Sequence, residues 1–281
     1  MPASQPYTVA CSGGLVKSTN AIDLLKTPGV AQELRNFEVS IEGGYRRING
    51  FAKFGSAQVT GSITNILGVI PYADGVIACA STGIYFSQDG NSWLNVSRSS
   101  VASGGDNHTA FTGRSVLART GQGQISFALY EAATDDYGTI VISDGANKPY
   151  AFRMEGTGAN INTRTFFGAE ITVNSAKYVK YVTIHDNHLI AAGVEDNLNT
   201  VYYSVNNDVT DFSSSGSGAI VISDQIVGIR GFREDLFIFC ENSIYKLINI
   251  NNSSTIAVVP VAENVGCMSG YSIQEIGGDL I

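Results

Sequence analysis

No stretch of about eighteen consecutive apolar residues occurs in this chain, so the sequence offers no helix able to cross a bilayer. Its start lacks a basic segment followed by an apolar core and does not read as a secretory leader. Histidine is scarce, at three residues, and there is no Gly-x-Ser-x-Gly, no P-loop and no dinucleotide fingerprint. Those absences remove the best-marked routes to hydrolase, phosphate and nucleotide chemistry. The four cysteines, Cys11, Cys79, Cys240 and Cys267, show no Cys-x-x-Cys spacing. Cys79 and Cys240 stand inside apolar runs, where a buried free thiol is expected, and with it folding in a reducing cytosol. Helical periodicity is almost missing, which points to an all-β fold.

Positive charge is also short and unevenly placed. Residues 1–60 hold six Lys/Arg against four Asp/Glu, whereas residues 61–281 hold eleven against twenty-one. An acidic body argues against binding DNA through its backbone, which needs a basic surface. It suits a protein that DNA passes without sticking, and simple solubility explains it equally well.

What is present is repetition. After Phe51, short apolar runs alternate with Gly, Asn and Asp turns, and one theme recurs: apolar strand, tight polar turn, strongly apolar strand. It runs over Leu67–Ile77, Val182–Ile190, Ile226–Phe237 and Ile273–Ile281, with a weaker copy at Gly138–Gly145. Between equivalent positions, Val141 to Leu189 is 48 residues, Leu189 to Leu236 is 47 and Leu236 to Leu280 is 44. That is the period of four-stranded propeller blades. The interval from Val76 to Val141 is longer, at 65 residues, and its polar stretch Ser97–Asn107 reads as a surface loop or insertion. Tyr85, Tyr202 and Tyr245 recur after the apolar strand of three copies.

Val76–Ala80 and Leu236–Cys240 are apolar at every position, so both strand faces need cover. Blades wedged between neighbours supply it. A two-sheet sandwich exposes one face of each strand, and a stacked solenoid is the remaining alternative. The expected fold is an all-β propeller of about four to five blades, incomplete in this chain, over residues 56–281, preceded by an extended docking arm over 1–55. The chain stops at Leu280-Ile281, within the expected buried strand of a fifth unit, which suggests a fragment or a blade completed by a partner.

The arm carries the order Gly13-Gly14-Leu15, Leu25-Lys26-Thr27-Pro28-Gly29, Asn36, Gly43 and Arg46-Arg47. Pro28 and Gly29 mark a turn, with at most a short helical turn from Pro28 toward Asn36. An ordinary strap across a β domain accounts for these residues too. The order resembles the start of the tail nozzle (tail tubular protein B) of short-tailed phages, and more closely the uncharacterised virion structural proteins of marine cyanobacterial phages. The resemblance covers about the first fifth of the chain. It implies a virion tail or neck protein assembled in the host cytoplasm. Its partners would be other tail or neck proteins in a homo-oligomeric ring, a hexamer if nozzle-like. DNA would meet it only in passage, without sequence-specific binding, and no membrane insertion is implied. Arg46 and Arg47 would form charge-assisted bonds to a neighbouring subunit, or instead pair internally and with water.

Ser87-Gln88-Asp89-Gly90-Asn91-Ser92-Trp93 resembles the Asp-box of sialidase-like propellers in compact form. Its logic is structural: Asp89 accepts turn N–H groups, Gly90 takes positive φ, and Trp93 packs beneath. His185-Asp186-Asn187-His188 lacks a matched third ligand and reads as a turn with solvated or capped side chains, not a metal site. Asp135-Asp136 and Glu234-Asp235 are adjacent pairs, which point to opposite faces of a strand and serve turns better than acid–base catalysis. No catalytic residue, cofactor or metal is expected. A receptor-binding or fibre-anchoring propeller, and after it a sialidase-like hydrolase, are the alternatives to a structural virion role.

Overall fold

The computed structural model describes residues 15, 29–31, 33, 35–39, 45–48, 50, 52–59, 65–98, 106–107, 115, 117, 119, 123–132, 135–156, 161–252, 254–276 and 279–280. The chain divides into two compact units, Met1–Phe54 and Gly55–Ile281. In the first, β1 (Phe37–Val39) pairs antiparallel with β2 (Tyr45–Arg47). None of the described residues near Gly29 is helical: Gly29 lies in a turn, and Ala31 forms a parallel bridge with Leu15. Residues 32 and 34 lie outside the described residues, and no described residue from 29 to 36 takes up the short helical turn allowed after Pro28. The φ of 89° at Gly29 is the left-handed geometry that ends a Pro-Gly turn rather than starting a helix.

The second unit is a series of four antiparallel sheets. The first runs β3 (Ile66–Tyr72), β4 (Gly75–Ala80), β5 (Gly83–Ser87) and β6 (Leu94–Asn95). The second contains β7 (Asp106–Asn107), β8 (Ser126–Tyr130), β9 (Thr139–Ser143), β10 (Tyr150–Glu155) and β11 (Thr165–Glu170), in spatial order β7-β11-β10-β9-β8. The third runs β12 (Tyr181–His185), β13 (His188–Ala192), β14 (Thr200–Tyr203) and β15 (Gly218–Val221). The fourth runs β16 (Ile226–Phe232), β17 (Asp235–Cys240), β18 (Ser243–Ile248) and β19 (Ala257–Glu263). A short hairpin of β20 (Glu275–Ile276) and β21 (Asp279–Leu280) follows.

Alternation along the second strands explains how the sheets are wedged together. Ile140 and Ile142 of β9 join Ile77, Cys79, Ile84 and Phe86 of the first sheet in one core. Val141, between them, points the other way and packs with Leu189 and Ala191 of β13. Ile190 and Ala192 point onward to Leu236, Ile238 and Leu247 of the fourth sheet. All five residues of β9 and of β13 are buried, as strands covered on both faces must be. The leading strand β12 lies against both β8 and β16. Three cores shared by successive four-stranded meanders define a β-propeller. They exclude a two-layer sandwich, and the antiparallel order excludes a solenoid.

Turn chemistry sets the register. Asp186 and Asn187, at φ 47° and 64°, form the two-residue hairpin between β12 and β13, where both central residues must be left-handed. Tyr85, Tyr202 and Tyr245 each pair with the fourth residue of the preceding strand, Ala78, Ala191 and Ile238.

One expectation is corrected. The stretch from Ser97 to Asn107 is not simply a surface loop. Ser97 is fully buried, and its hydroxyl accepts the Ile84 N–H at 3.2 Å. Asp106 and Asn107 pair with Phe166 and Thr165 at the outer edge of the second sheet. A strand at a sheet edge needs only backbone pairing, so the absence of apolar letters misleads. Residues 99–105 lie outside the described residues.

Candidate functional site

Of the residues singled out on the arm, Gly13, Gly14 and Pro28 lie outside the described residues. Asn36, at φ 60°, closes the β1–β2 hairpin by accepting the Ile48 N–H at 3.0 Å. Glu38 stands opposite Arg46, whose Nε donates to its carboxylate at 2.6 Å. Both side chains are well exposed, so this pair contributes at most about 1 kcal/mol. Arg47 stands opposite Phe37, is exposed, and has no bonding partner among the described residues. Arg46 is thus occupied within its own hairpin, and Arg47 is not. Phe37 and Ile48 are exposed beside it.

The Asp-box-like turn is tied from several sides. Ser87 Oγ accepts the Gly90 N–H at 2.8 Å, and Asp89 Oδ1 accepts the Asn91 N–H at 2.8 Å. Those bonds from Asn91 hold the Asp89 carboxyl below its usual range. Gly90 has φ 71°, and Trp93 Nε1 donates to the Ala57 carbonyl at 3.4 Å. Gly55 presses on this turn so closely that a Cβ there would lie 2.1 Å from the Gly90 carbonyl carbon. The turn therefore anchors the chain entering the first sheet.

His185 and His188 flank a turn, as expected, and of the two alternatives, solvated or capped, His188 is capped. His188 is buried, with Nδ1 2.6 Å from the Ser204 carbonyl and Nε2 3.0 Å from Asn251 Oδ1. It ties the third sheet to the loop after β18. His185 lines a cleft of about 450 Å³ with Asp186, Glu234 and Asp235. Burial pushes its pKa down while Asp186 and Asp235 pull it up. Asp235 is taken by Lys246 at 2.5 Å. No group of three or more metal-ligating residues occurs among the described residues. Asp135 contacts Arg153 at 3.3 Å and Asp136 accepts the Gly156 N–H at 2.7 Å, so both carboxylates are engaged within the second sheet. Cys79 and Cys240 are buried free thiols, with burial pushing Cys79 up to about 12 and Cys240 up to about 11.

A different cleft lies where the leading strands of the second, third and fourth sheets meet. It measures about 280 Å³ and is walled by Phe127, Tyr181, Thr183, Arg230 and Tyr271, with Gln274 among the lining residues. Its wall is held firmly. Ser126 Oγ accepts the Val182 N–H at 3.0 Å and lies 3.2 Å from the Val182 carbonyl, joining β8 to β12. Gly270 packs onto the backbone of β16, where a Cβ would lie 2.2 Å from the Val227 carbonyl oxygen. Tyr271 donates its hydroxyl to the Gln124 carbonyl at 3.0 Å, and its ring sits 5.7 Å from that of Tyr181. Burial raises both phenols, Tyr271 up to about 12, so both stay protonated at neutral pH. Thr183, Arg230 and Gln274 fall within the repeated hairpin segments, but no local motif marks them as a site. Only the tertiary meeting of three strands and the 270–274 segment assembles them.

Comparison with models of protein families finds no match, and comparison with curated proteins finds none either. Among solved structures, the chain is similar to the WD40 domain of Pan2 from Neurospora crassa, at 11% identity, with 71% of this chain and 52% of that chain covered and a TM-score of 0.42. It is also similar to BBS1N, solved in complex with ARL6DN, at 12% identity, 66% and 54% coverage and a TM-score of 0.40. The match spans about half the length of each of those chains. The propeller itself is defined by the sheet order and the three shared cores.

Proposed function

We propose that this chain is a structural component of a bacteriophage virion, in the tail or at the neck, that works through subunit contacts rather than catalysis. The observation that carries it is the β1–β2 hairpin, which leaves Arg47 without a partner among the described residues and exposes Phe37 and Ile48 beside it. An unpaired guanidinium flanked by exposed apolar side chains is the composition of a protein–protein contact. The residue order from Gly13 to Arg47 that resembles tail nozzle proteins supports the same role. In it, copies form a homo-oligomeric ring, six if nozzle-like. The acidic propeller is the wall of a channel that DNA traverses without sequence-specific contact, and the protein is located in the virion.

Mass spectrometry of purified particles tests this directly: peptides of this chain are expected in the particle at a stoichiometry set by the ring. Light scattering of the purified protein is expected to show an oligomer that Arg47→Glu shifts toward monomer. Absence from particles overturns the role, and an oligomer indifferent to Arg47→Glu overturns the part assigned to the hairpin.

A further inference from the structure

We propose that the central cleft between β8, β12 and β16 binds a carboxylate-bearing sugar residue, a property separate from the virion role above. Arg230 is the only charged residue lining the cleft, and its guanidinium has no hydrogen bond, ion pair or ring contact among the described residues. The Thr183 hydroxyl is equally uncommitted. Three other arginines of the propeller are engaged by carboxylates: Arg119 with Asp144, Arg153 with Asp135 and Arg164 with Asp74. A solitary cation in a concave site calls for one anion, and guanidinium geometry matches a carboxylate through two parallel bonds.

The remaining walls define what carries that carboxylate. Phe127, Tyr181 and Tyr271 supply aromatic rings, against which the C–H face of a pyranose stacks. Thr183 and Gln274 supply neutral polar groups for ring hydroxyls. A volume of about 280 Å³ accommodates a single substituted sugar ring and leaves no space for a folded segment. An extended acidic peptide would need free backbone along the wall, and Ser126 already holds the backbone of Val182. The cleft is formed before any ligand arrives, because Gly270 and Tyr271 pin its far side to β16 and to Gln124. Little ordering cost is left for binding.

The test uses the full chain with galacturonate and glucuronate as probes, galactose and glucose as their neutral counterparts, and N-acetyl-Gly-Glu-Gly-amide as a peptide carboxylate. Calorimetry and ligand-observed NMR are expected to show the sugar acids binding at least about ten-fold tighter than the neutral sugars. Arg230→Gln is expected to abolish that preference, and Phe127→Ala to weaken both acids several-fold. Because Arg230 is exposed and unpaired, the Arg230→Gln thermal midpoint is expected to match wild type, which separates lost binding from lost folding. No binding by wild type at millimolar concentration, equal binding of acid and neutral sugar, or an unchanged acid preference in Arg230→Gln overturns the proposal. So does the peptide binding more tightly than the uronates.

Discussion

The seam between the first and second sheets and the central cleft are built from the same residue types and use them in opposite ways. In the seam, polar groups bond to one another. Arg164 forms two 2.6 Å bonds to Asp74, Tyr72 donates to the Gly138 carbonyl at 2.7 Å and accepts the Met154 N–H at 3.1 Å, and Tyr150 donates to the Val96 carbonyl at 2.8 Å. In the cleft, Arg230 and Thr183 bond to nothing described, and Phe127 is half exposed. A buried polar group without a partner costs about 1–3 kcal/mol, so each bond in the seam supports the fold. The cleft opens to water and meets no such demand. Its uncommitted groups are what the fold can spare for a ligand.

The sharpest test of this contrast is at Arg119 and Asp144, whose side chains are 4% and 7% exposed. Asp144→Asn leaves a buried guanidinium whose Nη1 already lacks a partner among the described residues. It is expected to destabilise by about 3–5 kcal/mol in chemical denaturation. Asp74→Asn strips the anion from buried Arg164, but Asp74 is itself 40% exposed, so water softens the loss to about 2 kcal/mol. Tyr150→Phe removes a hydroxyl that bonds the Val96 carbonyl and the Arg98 N–H, and is expected to cost about 1–2 kcal/mol. Arg230→Gln is expected to change stability by less than about 0.5 kcal/mol. A cleft variant as destabilising as a seam variant would erase the distinction.

Acid gives a second measure of the seam. Its hydrogen bonds to Arg164 hold the Asp74 carboxyl below the usual 3.8. At Asp144, burial pushes upward, but Arg119 and the N–H groups of Ala146 and Asn147 outweigh it and hold this carboxyl low too. Carboxyls lowered in the folded state contribute stability above the unfolded value and lose it as pH falls through the folded one. The unfolding midpoint is therefore expected to drop as pH falls below the unfolded carboxyl value of about 4. Asp144→Asn is expected to flatten that drop, and an equal drop in the variant would place the acid sensitivity elsewhere.

The blade pattern was legible because wedging requires it: a strand segment covered on both faces is apolar on both, and Val76–Ala80 and Leu236–Cys240 read that way in sequence. The Asp-box-like turn was legible for a related reason, since its bonds run within four residues, from Ser87 to Gly90 and from Asp89 to Asn91. Whether His188 is solvated or capped was not legible, because its partner Asn251 is 63 residues away. Arg164 and Asp74 are 90 residues apart, and nothing local distinguishes them from surface charges. The cleft was illegible altogether. Ser126, Thr183, Arg230 and Tyr271 each occupy unremarkable positions, and only the meeting of three leading strands gathers them.

By itself, then, the order of residues determined an all-β chain of repeating hairpins, with their turns and their doubly apolar strands, because backbone sterics and side-chain alternation act over a few residues. Tertiary structure alone decided which charges pair, which histidine is buried and which arginine is left over. Those outcomes depend on distances between blades, which no local stretch of sequence encodes.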